Sequence, residues 1–150
     1  MKQKGFAGTN ILAWGESLGG GIASDLAARE PIGGLILQSS FTSVPDIGAD
    51  LFPWLPVRSL STIKYDTRSK LPRVNCPVLV MHSRADTTIP FRHAERNFAA
   101  ANEPKSLWEV YGDHNDAVDA DPQRFVDGFE KFLQLVEAQR ANKIKERQSR

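Results

Sequence analysis

Three residues of this sequence have the side chains of a nucleophile, an acid and a base, and each follows a short apolar run. Ser17 lies in a G-x-S-x-G pattern, between an apolar run and a helical pattern. Asp86 and His114 each follow a later apolar run. A serine hydroxyl is a weak nucleophile until a base accepts its proton, and that base needs an orienting acid. These residue types, in this order, predict nucleophilic acyl transfer.

The serine motif consists of Gly15, Glu16, Ser17, Leu18 and Gly19. It joins a predicted strand to a predicted helix, so the chain must turn sharply at the serine, and flanking glycines permit the close backbone approach. Such a turn exposes the serine hydroxyl at the carboxyl end of the strand. It also brings the Leu18 N–H to the start of a helix, where it would bind an oxyanion. The competing interpretation is a glycine-rich turn with an incidental serine.

The elements that must position these residues alternate between strands and helices. Continuous apolar runs predict strands buried on both faces, and amphipathic segments between them predict helices. The predicted strands are 10–14, 34–37, 77–81 and 106–111, and the predicted helices are 18–29, 90–101 and 122–141. This alternation predicts an α/β fold with a mostly parallel sheet of about four strands flanked by helices. Ser17, Asp86 and His114 should then meet where the parallel strands end.

These blocks resemble the α/β-hydrolase superfamily, and most closely its single-domain serine hydrolases. The resemblance extends from about residue 10 to about residue 135, in the chain order Ser, Asp, His that the superfamily uses. It implies that Ser17 is the nucleophile, His114 the general base and then acid, and Asp86 its orienting partner, with one oxyanion N–H from Leu18. It further implies an esterase-type serine hydrolase that acts on small carboxylic ester-like substrates and needs no cofactor.

Several residues allow a different assignment. Asp46 also follows a predicted strand and could be the acid, since some relatives place it there. His82, at a strand end, is better explained by a structural hydrogen bond than by catalysis, and His93, in the first turn of a helix, is expected at the surface. Asp113 stands where relatives usually have a second glycine. No ligand spacing predicts a metal site, and no glycine pattern predicts nucleotide binding.

Segment 43–70 interrupts the alternation of strands and helices. Its prolines argue against one long helix, so short helical turns and loops covering the carboxyl edge of the sheet are expected. Within it, the apolar residues of 51–57 have two interpretations. They pack over the edge of the sheet, which we slightly favour, or they form a wall of the substrate pocket above Ser17.

The resemblance covers only the carboxy-terminal half of the superfamily fold. There the serine motif follows the fifth of about eight strands, whereas about nine residues precede the first strand here. The loop that donates the second oxyanion N–H then has no counterpart, and one such donor contributes about 10²–10³ in rate. We therefore expect weak activity. The alternatives are a non-catalytic binding or scaffold protein that keeps the triad, or a truncated gene product.

Strand 10–14 would have an open edge, which favours a homodimer or a partner chain there. The 150 residues suit one partial α/β-hydrolase domain, 1–150, with a basic helix end or flexible tail over 140–150. A net charge of +1 gives no reason to expect nucleic-acid binding. The single cysteine, Cys76, excludes an intrachain disulfide and fits a reducing compartment. With neither a signal peptide nor a membrane span in the sequence, a cytoplasmic location is expected.

Overall fold

The computed structural model describes residues 5–149. Four parallel strands form one sheet in the order β1-β2-β3-β4. They are β1 (Leu12–Glu16), β2 (Gly34–Gln38), β3 (Val78–Ser83) and β4 (Lys105–Val110). Each strand is followed by at least one helix, so every connection returns the chain to the same end of the sheet. The predicted fold class, a parallel sheet of four strands flanked by helices, is confirmed.

Six α-helices lie within the described part of the chain. They are α1 (Gly19–Arg29), α2 (Val44–Leu51), α3 (Val57–Leu60), α4 (Arg92–Ala100), α5 (Ala117–Ala120) and α6 (Pro122–Gln148). Two of their starts are fixed by side-chain caps, since Ser43 accepts the Asp46 N–H and Asp121 accepts the Arg124 N–H. The short helices α2 and α3 fall in segment 43–70, as its prolines predict.

Side chains alternate between the two faces of the sheet and produce two apolar layers. Leu35 and Leu37 of β2 face α1 and α4, whereas Ile36 between them faces α6. Residues on the first face pack with Ala23 and Ala27 of α1, whose small side chains allow the helix to lie close to the sheet. The sheet is thereby covered on both faces, as expected for parallel strands that consist of continuous apolar runs.

The observed elements differ from the predicted ones mainly at their ends. Strand β1 begins two residues later than predicted because residues 8–10 form a 3-10 turn. It ends two residues later because the backbones of Gly15 and Glu16 still pair with β2. Helix α6 continues to Gln148, so the basic segment forms a helix end rather than a flexible tail. Residues 138–148 contain strong helix formers and neither glycine nor proline, which explains this extension.

Strand β1 is an edge strand in the described chain, where β2 is its one hydrogen-bonded neighbour. Trp14 of this strand stacks on Phe125 and Phe129 of α6 at centroid distances of 5.8 Å. The expected pairing of this edge with another chain stays a prediction. Among residues 5–149, no helix combines the length and apolar character that crossing a bilayer requires.

Candidate active site

The turn after β1 holds Ser17 in a backbone conformation that side chains seldom adopt. Its φ is +51°, in the left-handed region, and its N–H donates to the Gln38 carbonyl at 2.9 Å. The turn is so tight that a Cβ on Gly15 would collide with the Gly19 carbonyl and lie 2.6 Å from the Gly20 nitrogen. The hydroxyl of Ser17 is thereby presented at the carboxyl end of β1, as the motif predicts.

Ser17, His114 and Asp86 meet in one hydrogen-bonded array. The His114 Nε2 lies 3.2 Å from the Ser17 Oγ, and the His114 Nδ1 lies 2.8 Å from the Asp86 Oδ2. An ionised carboxylate only accepts hydrogen bonds, so Nδ1 carries the proton and donates to Asp86. The Nε2 is then free to accept the serine hydroxyl proton. The structure thus brings together the three side chains that the sequence pattern singled out from distant positions in the chain.

Asp86 is buried and surrounded by donors. Its Oδ1 accepts the N–H groups of Thr88 and Ile89 at 2.9 and 2.7 Å, and its Oδ2 lies 3.3 Å from the His82 Nε2. Burial raises the pKa of Asp86, but hydrogen bonds from His82, Ile89 and His114 outweigh it and lower the pKa to about 2. Asp86 is therefore ionised at neutral pH and keeps a fixed orientation toward His114.

His82 contacts the same carboxylate oxygen as His114, the Asp86 Oδ2. It is fully buried, and its Nε2 also lies 2.8 Å from the Ile89 carbonyl. Because a carbonyl can only accept, the Nε2 carries a proton and is shared between Ile89 and Asp86. This is the structural hydrogen-bonding role that the sequence favours for His82.

The low pKa of Asp86 predicts an acid-sensitive contribution to folding. Because its folded pKa of about 2 lies below the ordinary 3.8, the ionised group stabilises the fold above that value. The contribution, about 2 kcal/mol, is lost as the pH falls toward 2. We expect Asp86→Asn to lose less stability than the wild type as the pH falls from about 5 to about 2, measured by urea unfolding. The exposed Asp119→Asn should leave the pH profile unchanged, and equal effects of both variants would contradict the assignment.

Asp113 links the loops that carry the acid and the base. Its Oδ1 accepts the Thr87 N–H at 2.8 Å and the His114 N–H at 2.7 Å, and Thr87 also donates its hydroxyl. The backbone hydrogen bonds from Thr87 and His114 lower the pKa of Asp113. This positioning role was missed at the sequence level, where Asp113 is only a departure from the usual glycine. The sequence feature that could have revealed this role is Thr87, directly after the predicted acid, because a threonine can donate hydrogen bonds to a carboxylate such as Asp113.

The alternative acid, Asp46, lies elsewhere. This residue of α2 accepts the Thr42 hydroxyl at 2.8 Å and pairs with Arg58 of α3 at 3.1 Å, and it contacts neither Ser17 nor His114. It orders the segment beyond β2 instead.

The surface position predicted for His93 is wrong, because this residue of α4 has a fully buried side chain. Its Nε2 lies 2.7 Å from the Asp50 carboxylate, and its Nδ1 accepts the Thr42 N–H at 3.1 Å. Burial lowers the pKa of His93 even though Asp50 opposes the shift. The helical phase explains the error: His93 and Asn97, four residues apart on α4, both contact segment 40–42 after β2, whereas their place near a proline-initiated first turn suggested solvent.

The Leu18 N–H stands beside the nucleophile at the start of α1. It donates to no acceptor within residues 5–149, and the side chain of Leu18 points to solvent. This is the environment that an oxyanion donor needs, because the group must be free when the substrate arrives. The glycines Gly20 and Gly21 that follow are buried against Ser40 and Tyr65, so the helix lies close to its neighbours. Among the described side chains, no group of three or more His, Cys, Asp or Glu is placed to hold a metal ion.

A parallel sheet that carries serine, aspartate and histidine, in this chain order, at the carboxyl ends of its strands is typical of the α/β-hydrolase fold. Solved structures share the fold of this chain. The esterase domain of a Rhodothermus marinus protein matches with a TM-score of 0.62 and 20% identity, covering 83% of this chain and 60% of that one. The Pyrococcus furiosus esterase Pf2001 matches with a TM-score of 0.65 and 19% identity, covering 84% and 53%. The chain therefore has the α/β-hydrolase fold, as the resemblance implies.

Sequence relatives are consistent with that placement. No family model matches the chain. It is 40% identical over 124 residues to the uncharacterized protein Rv2307c of Mycobacterium tuberculosis, covering 82% of this chain and 44% of that protein. It is 31% identical over 116 residues to lysophosphatidylserine lipase ABHD12 of Danio rerio, covering 65% and 30%. The chain thus spans less than half the length of these curated relatives.

Proposed function

We propose that the chain carries the catalytic triad of a serine hydrolase that cleaves carboxylic ester-like substrates. The observation that carries the proposal is the continuous hydrogen-bonded array from Ser17 through His114 to the ionised Asp86. A serine paired with a correctly oriented neutral imidazole is the arrangement that nucleophilic acyl transfer requires. The fold and its hydrolase neighbours support a hydrolase, and the array supports the serine mechanism.

In the proposed reaction, the Ser17 Oγ attacks the ester carbonyl as His114 takes its proton. The new oxyanion is bound by the Leu18 N–H, and Asp86 stabilises the imidazolium. His114 then donates the proton to the leaving alcohol, and an acyl-enzyme on Ser17 remains. Water, activated by His114, attacks this acyl-enzyme and releases the acid. No cofactor takes part in these steps.

The name of one relative suggests a class of substrate. One relative is named lysophosphatidylserine lipase, and lysophosphatidylserine is an ester of a fatty acid. We propose an acyl ester as the substrate.

A fluorophosphonate probe and p-nitrophenyl acetate test the proposal. We expect the probe to label the wild-type chain at Ser17, and we expect Ser17→Ala to abolish both labelling and ester turnover. The exposed serine variant Ser69→Ala is the matched control and should label as the wild type does. If Ser17→Ala hydrolyses the ester as fast as the wild type, the catalytic proposal fails. Absence of labelling in the folded wild-type chain would favour the alternative, a binding protein that keeps the triad.

A further inference from the structure

The segment of residues 51–65, here called the apolar cap, exposes its large side chains to solvent. Trp54 is 77% exposed, Leu60 63% and Ile63 59%. Phe52 and Trp54 contact each other edge to face at 6.3 Å, and both remain largely exposed. The packing interpretation that the sequence slightly favoured for 51–57 is therefore wrong. Soluble monomers seldom expose so many neighbouring apolar side chains without a binding partner.

Helix α2, which leads into the apolar cap, is packed against the rest of the fold. Ile47 of α2 is buried with Phe41 and Ile89, and Ile89 belongs to the loop whose N–H groups bind Asp86. Helices α2 and α3 meet where a Cβ on Gly48 would be only 2.6 Å from the Val57 side chain. The exposed side chains therefore project from a folded platform at the carboxyl edge of the sheet. That edge also carries Ser17.

The sequence of the apolar cap and of the ten residues after it is basic. Residues 51–75 contain five basic residues and one acidic residue, a net charge of +4, whereas the whole chain has a net charge of +1. The rest of the chain therefore carries a net charge of −3. Arg58 pairs with Asp46 of α2 at 3.1 Å and Lys70 lies 3.5 Å from Asp25, so acids outside the segment offset these two charges. Lys64, Arg68 and Arg73 are exposed.

We propose that the apolar cap docks the protein on the surface of an anionic lipid bilayer. Indole and other amphipathic rings favour the boundary between headgroups and acyl chains, where their apolar part is buried and their polar edge stays wet. Basic side chains beside them are attracted to the negative headgroups. Trp54 and Leu55 lie exposed on a turn closed by the hydrogen bond from the Leu55 N–H to the Phe52 carbonyl, which suits shallow insertion. Docking at this edge brings the bilayer surface to the side of the molecule that carries Ser17.

Binding to a bilayer does not require hydrolysis. It is therefore tested in the Ser17→Ala chain, in which no ester turnover is expected. Flotation is measured with vesicles of phosphatidylcholine alone and of phosphatidylcholine with phosphatidylserine. We expect the chain to float with the anionic vesicles, and Trp54→Glu to weaken this partition about tenfold or more. Added salt should weaken it too, because it screens the headgroup charge.

Ile144→Glu is the matched control, since Ile144 is also an exposed apolar residue but lies far along α6, outside the apolar cap. It makes the same change of charge and should leave the partition unchanged. Circular dichroism verifies that each variant is folded. Failure of the parent chain to float with anionic vesicles, or equal losses in both variants, would overturn the proposal. So would light scattering that shows a dimer dissociated by Trp54→Glu without any vesicle binding. None of these outcomes affects the assignment of Ser17 as nucleophile.

Discussion

Replacing His114 with Gln is expected to slow acylation of Ser17 about 10²–10⁴-fold. The His114 Nε2, 3.2 Å from the hydroxyl oxygen, is the one basic nitrogen that contacts it in the described structure. Without that nitrogen the hydroxyl must lose its proton to water, which is a far weaker base. The rate is measured as the second-order labelling of Ser17 by a fluorophosphonate, which needs no turnover. The exposed neighbour variant Asn115→Gln should label at the wild-type rate.

Asp86→Asn should reduce the labelling rate by a comparable factor. The amide cannot balance the charge of an imidazolium, and it favours the tautomer in which Nε2 carries the proton and no longer accepts. Because both residues act on the same proton transfer, the double variant of His114 and Asp86 should label no more slowly than the slower single variant. If the two losses instead multiply, the two side chains do not act as one unit.

The chemistry of the site was predictable because it lies in local patterns. The serine motif by itself predicts the turn from strand to helix. The ends of neighbouring parallel strands must lie together, so Asp86 and His114 were expected near Ser17. The orientation of the Asp86 carboxylate was not predictable. It depends on backbone N–H groups of its own loop and on Asp113, whose partners become neighbours only when the chain is folded.

The environment of individual side chains was less predictable than the fold. His93 has no sequence neighbour that explains its burial, because its partners Asp50 and Thr42 come from segments more than 40 positions away. Apolar residues of 51–57 were expected to pack because hydrophobicity usually indicates burial. In the structure the large side chains of this stretch are exposed. Pattern alone does not distinguish an apolar surface from a core.

Replacing Gly15 with Ala is expected to destabilise the fold by about 3 kcal/mol or more. The added Cβ would collide with backbone atoms of Gly19 and Gly20, and the helix start that carries them cannot move without displacing Ser17. Gly19, the other glycine of the motif, has no atom within 4 Å of its Cβ position. Gly19→Ala at the first residue of α1 should therefore be neutral or stabilise by about 0.4–1 kcal/mol.

This pair of variants separates the two glycines of the motif, which the pattern treats as equivalent. Urea unfolding followed by tryptophan fluorescence should give a much lower midpoint for Gly15→Ala and an unchanged or higher one for Gly19→Ala. The labelling rate of Ser17 should fall in the first variant even where it remains folded, because relief of the collision moves the hydroxyl away from His114. Similar midpoints and labelling rates in both variants would mean that the turn relaxes without cost. The close backbone approach at Gly15 would then not be what holds the nucleophile in place.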